Sequence, residues 1–115
     1  MRDPVNTVVL LGTGLIGSGW AARCLAHGLD VVAWDPDPSA EATLFANVDN
    51  AWPILEEVGL RSGADRSRLR FEPSLEAALS VADYVQENAP DDEALKIKLI
   101  AQADQLLPPD VIIAS

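Results

Sequence analysis

Apolar positions along this chain fall into two alternating patterns. Short unbroken runs, Val8-Val9-Leu10-Leu11, Val31-Val32-Ala33-Trp34 and Val111-Ile112-Ile113-Ala114, have the length and β-branched content of strands buried on both faces. Between them, apolar residues recur at helical spacing, as in Leu44, Val48, Ala51, Leu55 and Val58. Read in order, the pattern predicts a strand over 7–11, a helix over 15–27 stopped at Gly28, and a strand over 30–34. Asp37-Pro38 then opens a second helix, which Pro53 should kink or split. A loop over 59–67 leads to a strand over 69–72 and a brief helix capped by Ser74. A strand over 83–87 follows. Asp91-Asp92-Glu93 then opens a helix, Pro108-Pro109 end it, and a strand covers 111–114. Strict alternation of this kind predicts an α/β fold: a doubly wound parallel sheet in the order 3-2-1-4-5, with helices on both faces.

Gly12-Thr13-Gly14-Leu15-Ile16-Gly17 sits where the first strand hands over to the first helix, and Asp35 ends the second strand about 18 residues further on. A G-x-G-x-x-G in that context, with its acidic partner, is the Rossmann dinucleotide fingerprint. Gly12 permits the sharp turn, Gly14 leaves room for a pyrophosphate, and Gly17 lets the helix pack closely on the strand. Leu15 and Ile16 are expected to offer backbone N–H groups to the phosphates, their side chains turned towards the core. A carboxylate at Asp35 can accept both hydroxyl hydrogens of the adenine ribose and would repel a 2′-phosphate. Pro36-Asp37-Pro38 supplies no cation to hold one, so NAD is expected over NADP. The bland alternative is a strand-turn-helix whose glycines serve packing and whose Asp35 caps a helix.

With 115 residues, 49% of them hydrophobic, the chain can bury one modest core. No apolar run nears the roughly 20 residues needed to span a bilayer, and no leader pattern precedes the first strand. Cys24 is the only cysteine, so neither a disulfide framework nor a thiolate metal site is available. A cytoplasmic protein is the expectation. Eight basic against 18 acidic residues give a net charge of −10, which disfavours nucleic acid and anionic membranes as partners. A coenzyme A thioester would need basic clusters to offset that field, and the exposed segments offer only Arg61, Arg66, Arg68 and Arg70. A zwitterionic or cationic substrate is less opposed.

Other tempting residues read more simply as structure. His27, the only histidine, lies about 15 Å along the helix from Gly17 at roughly 1.5 Å per residue, too far for a base beside the phosphates. Glu56-Glu57 reads as a solvated face and Asp91-Asp92-Glu93 as helix-start acids, so no metal site is expected. Trp20 and Trp34 are expected in the core. Trp52 is expected to be more open, wedging a kink at Pro53.

With the glycine loop, Trp20 and Asp35 in view, the stretches 12–23, 26–36, Asn50-Ala51-Trp52-Pro53 and Gln86-Glu87-Asn88-Ala89-Pro90 complete a resemblance. The chain resembles, over essentially its whole length, the NAD-binding half of the 3-hydroxyacyl-CoA dehydrogenase family. That resemblance implies NAD-dependent oxidation of a secondary alcohol β to a carboxylate. L-carnitine is the favoured hydroxy acid, with an L-3-hydroxyacyl-CoA or L-gulonate as alternatives. It also implies that Gly12, Gly14 and Gly17, with Thr13, Leu15 and Ile16 between them, form the pyrophosphate loop, and that Asp35 is the ribose acid. The turn near Ala89 would lie against the cofactor, Asp91 would stand for a family glutamate one methylene longer, and Lys96 for a family lysine. The family's catalytic serine falls in a Ser/Asn-Thr-Ser stretch just after the fifth strand, which begins about Ser115. Its histidine, orienting glutamate and dimer-forming helical domain come later. The resemblance therefore implies no catalytic residue within 1–115, an incomplete N-terminal domain inactive alone, and a homodimer for the full-length protein. A nucleotide-binding module without catalysis stays open as the reading from another class.

Overall fold

The computed structural model describes residues 5–88 and 93–115. Its strands are β1 (Thr7–Leu11), β2 (Asp30–Trp34), β3 (Leu69–Phe71), β4 (Tyr84–Glu87) and β5 (Ile112–Ala114). Its helices are α1 (Leu15–Ala26), α2 (Ala40–Val58), α3 (Leu75–Leu79) and α4 (Glu93–Leu106). The strands pair in parallel in the order β3-β2-β1-β4-β5, as the alternation predicts. Leu11 sits opposite both Trp34 and Glu87, so β1, β2 and β4 finish level. The chain reverses its winding direction at β1, and ligands of such sheets bind at the carboxyl ends beside that reversal.

Alternate residues of β1 feed two cores, because successive strand side chains point to opposite faces. Val8 and Leu10 join Ala21, Ala22 and Leu25 of α1 and Leu44, Val48 and Trp52 of α2. Val9 and Leu11 join Ala78 and Leu79 of α3 and Ala103 of α4. The face α1 buries is made of Gly17, Ser18, Ala21, Ala22, Leu25 and Ala26. Small residues there let the helix settle close to the sheet.

That closeness corrects the tryptophan assignments. Trp20 is pushed outward and is 42% exposed, whereas Trp52 is a core residue at 6%. Trp34 does pack, half-buried, against the second cluster. Leu44, Val48 and Trp52, one helical turn apart, form the inward stripe of α2, and the Arg66 guanidinium lies 5.7 Å from the Trp52 ring centroid. Pro53 does not split α2, which runs unbroken through it. The proline is exposed, so water can solvate the Asp49 carbonyl that it leaves without an intrahelical donor. Nor does α2 begin at Asp37-Pro38. The Asp37 carboxylate accepts from the Ser39 N–H at 2.9 Å and its hydroxyl at 2.7 Å, a local turn that delays the helix to Ala40. Asp83 likewise stands outside β4, its carboxylate accepting the N–H groups of Asn6 and Thr7 at the start of β1.

Candidate functional site

The turn after β1 is built by backbone that tolerates no side chain at two points. Gly12 has φ +99°, a conformation strained for any other residue, and its N–H continues the sheet by donating to Trp34 O at 2.8 Å. A Cβ on Gly17 would stand 2.2 Å from Gly12 O, so the first turn of α1 rests directly on the loop. Gly14 differs: a Cβ there would meet nothing within 4 Å. Gly14 is also the N-cap of α1. It provides no side-chain acceptor, and the first turn holds no acid. The unpaired N–H groups and positive dipole end of α1 therefore face a space where an anion can sit.

Asp35 stands beside that space and is tied into it. Its Oδ2 accepts the Thr13 N–H at 2.9 Å and the Thr13 hydroxyl at 3.0 Å, and Oδ1 accepts the Asp37 N–H at 2.9 Å. Thr13, Gly14, Asp35, Asp37, Thr43 and Asn88 lie around one cleft of about 430 Å³, within the size range of small-molecule sites. Open space above Gly14, an uncapped helix start and a carboxylate at the rim fit a dinucleotide. Beneath the loop, the buried Ser18 hydroxyl donates to Thr13 O at 3.3 Å and accepts from Asn47 Nδ2 at 3.1 Å, linking α2 to the turn. Ser18→Ala is expected to cost about 1 kcal/mol, seen as a fall of about 4 °C in melting temperature. It should also weaken dinucleotide binding a few-fold, since the Thr13–Gly14 peptide plane loses its tether. An unchanged melting curve would show the tether to be idle.

Further down, at the end of β4, Glu87 is 2% exposed and its Oε2 accepts the Ser115 hydroxyl at 2.9 Å. Among the sequence-predicted residues, Thr13, Gly14 and Asp35 line the cleft, while Gly12 and Gly17 shape the turn behind it, packed against each other. Leu15 and Ile16 sit at its helix start, but their side chains are 82% and 72% exposed rather than turned to the core. The inward positions of that turn belong to Gly17 and Ser18. Ala89 and Asp91 lie outside the described residues. Lys96 is half-buried on α4 and is not among the residues lining the cleft.

His27 is exposed at the far end of α1, its Nδ1 3.1 Å from Arg23 O. Burial pushes the Cys24 thiol up to about 11, so at neutral pH it stays protonated and unreactive. A separate concavity of about 380 Å³ lies at the amino ends of β1 and β2, lined in part by Arg68 and Arg70. Arg68 is paired there with Asp30 at 2.8 Å, and that hydrogen bond holds the Asp30 carboxyl below its ordinary value. Among the described residues, no three His, Cys, Asp or Glu side chains are grouped to hold a metal ion, and no helix is long and apolar enough to cross a membrane. Sequence reasoning missed Ser18, Asn47 and Asn88, and missed that Thr13 holds Asp35. A hydroxyl beside the first glycine was the only local signal.

The family model described as 3-hydroxyacyl-CoA dehydrogenase, NAD binding domain, matches residues 7–115. An L-carnitine dehydrogenase of Burkholderia mallei is 54% identical over 111 residues, covering 96% of this chain and 35% of its own length. One from Bacillus cereus is 45% identical over 114 residues, covering 99% and 35%. The chain thus spans about a third of the length of these relatives. Among solved structures, (S)-3-hydroxybutyryl-CoA dehydrogenase from Ralstonia eutropha superposes with a TM-score of 0.80 at 30% identity, over 95% of this chain and 40% of that one. An NAD-dependent dismutase, 5-formyl-3-hydroxy-2-methylpyridine 4-carboxylic acid 5-dehydrogenase, gives 0.84 at 31%, over 95% and 36%.

Proposed function

The chain belongs to the 3-hydroxyacyl-CoA dehydrogenase family through its NAD-binding domain, and from that premise we propose that it is the cofactor-holding part of an NAD-dependent dehydrogenase oxidising L-carnitine. NAD is the cofactor of that domain. The observation that carries the cofactor reading is the open space over Gly14 beside an Asp35 carboxylate hydrogen-bonded to Thr13.

The backbone N–H groups over 14–17 and the dipole of α1 bind the diphosphate, Gly14 giving it room and Gly17 keeping the helix start in place. Asp35 accepts the adenine ribose hydroxyls and repels a 2′-phosphate, which sets NAD above NADP. When bound, NAD supplies the acceptor for a hydride leaving the substrate's carbinol carbon. The proton of that hydroxyl is taken by groups in the further chain that such relatives carry. His27, at the wrong end of α1, is not one of them.

The substrate reading rests on the names of relatives 45–54% identical to this chain. Charge supports it. At a net −10, an anionic coenzyme A thioester is repelled, and two of the four arginines available to offset this are engaged: Arg66 with Asp49 and Arg68 with Asp30. A small zwitterion meets no such barrier. Full-length protein supplied with NAD and, in turn, L-carnitine, a 3-hydroxyacyl-CoA and L-gulonate is expected to reduce the cofactor with L-carnitine. Turnover of another alcohol alone would overturn the substrate, and absence of NAD binding by calorimetry would overturn the whole reading.

A further inference from the structure

Asn88 is the residue at which the chain leaves β4 for the cleft. Its backbone N–H donates to Leu11 O at 2.7 Å, fixing it against the end of β1. Its Cβ stands 3.9 Å from where a Cβ on Gly17 would be, so the side chain lies against the glycine turn, and it lines the cleft with Thr13, Gly14 and Asp35. The amide is only half-used. Oδ1 accepts a long 3.4 Å bond from Gln86 Nε2. Nδ2 is, among the described residues, the one buried side-chain nitrogen or oxygen with no hydrogen-bond partner.

A buried donor that meets no acceptor among the described residues is a standing cost to the fold, and such groups are rare in native structures. An acceptor arriving in the cleft removes that cost. Its neighbours say what kind of acceptor: the uncapped start of α1 and the open space over Gly14 both favour a negatively charged oxygen. We propose that Asn88 donates through Nδ2 to the diphosphate of the bound dinucleotide, making it a cofactor-binding residue contributed by β4 rather than by the glycine loop. The inference rests on the NAD reading above.

Asn88→Ala in the full-length protein separates the possibilities when two quantities are read: the melting temperature without ligand, and the affinities for NAD and ADP. The unliganded variant is expected to melt within a few degrees of the wild type, because the truncation removes an unsatisfied donor and gives up only the long Gln86 Nε2 to Oδ1 bond of 3.4 Å. Affinity should fall about tenfold for both NAD and ADP, which share the diphosphate. Asn88→Asp should lose more, its charge facing the same oxygens. A melting temperature lowered by about 8 °C or more in Asn88→Ala, beyond what one long hydrogen bond is worth, would make the residue structural and overturn the proposal, whichever way the affinities move. Weakening of NAD with ADP unchanged would place the acceptor on the nicotinamide side and equally overturn it. Unchanged affinity for both, with wild-type binding intact, overturns Asn88 alone. A wild-type protein that does not bind NAD overturns the reading beneath it.

Discussion

Gly17→Ala is expected to destabilise this chain by about 3 kcal/mol or more, the range of overpacking against parts that cannot move aside. The added methyl would sit 2.2 Å from Gly12 O, and a backbone oxygen cannot rotate away as a side-chain tip could. Gly12 itself is held, because its N–H is committed to Trp34 O and its φ of +99° is bounded by the turn. Relief would require α1 to lift from the sheet, breaking the contacts of Ala21, Ala22 and Leu25 with Val8 and Leu10. Circular-dichroism melts would show a transition lowered by 10 °C or so, or none. Gly14→Ala is the matched control. Its methyl meets nothing within 4 Å, so the melt should be preserved while NAD binding weakens about tenfold through lost space over the turn. A Gly17→Ala protein melting with the wild type would mean that helix and loop are not in the contact described.

Asp35→Asn is expected to weaken NAD binding by about tenfold to a hundredfold, since the ribose loses charge-assisted acceptors. The amide also fits its own surroundings badly. Both carboxylate oxygens accept: Oδ1 from the Asp37 N–H, Oδ2 from the Thr13 N–H and hydroxyl. An amide offers one oxygen, so either orientation sets a donor against a donor. About 1–3 kcal/mol of stability should go with the affinity. Without the negative charge, the preference for NAD over NADP should narrow. Calorimetric titration with both nucleotides reads all of this, and an unchanged NAD affinity would remove Asp35 from the site.

Much of this architecture could be read before any coordinates. The strands announce themselves because both of their faces are buried, which makes Val8 to Leu11 and Val31 to Ala33 continuous apolar runs. The glycine turn is legible for a related reason: its backbone geometry excludes side chains, so the residue type itself records the shape. Helix faces were harder. Periodicity marks Leu44 and Val48 of the inward stripe of α2 but misplaces Val58, which is exposed, and omits Trp52, which is buried. On α1 the stripe consists mainly of glycine, serine and alanine, and the large residues Leu15, Ile16 and Trp20 point out. Hydrophobicity alone assigns those faces the wrong way round. Asn88 could not be found from sequence at all, because an unmet hydrogen bond exists only once β4 has been laid beside the glycine turn.

The hydrogen bonds at the carboxyl ends of the strands have a kinetic consequence. Gly12 N–H reaches Trp34 O and Asn88 N–H reaches Leu11 O, so the pairing of β2, β1 and β4 carries on past the strands themselves, and the Asp35 carboxylate holds the Thr13 N–H beyond them. The cradle is therefore preorganised: an arriving nucleotide finds its seat already assembled and forfeits little loop entropy on binding. In deuterated solvent the amides of Gly12 and Asn88 should exchange at the pace of the sheet, opening only when the strands separate.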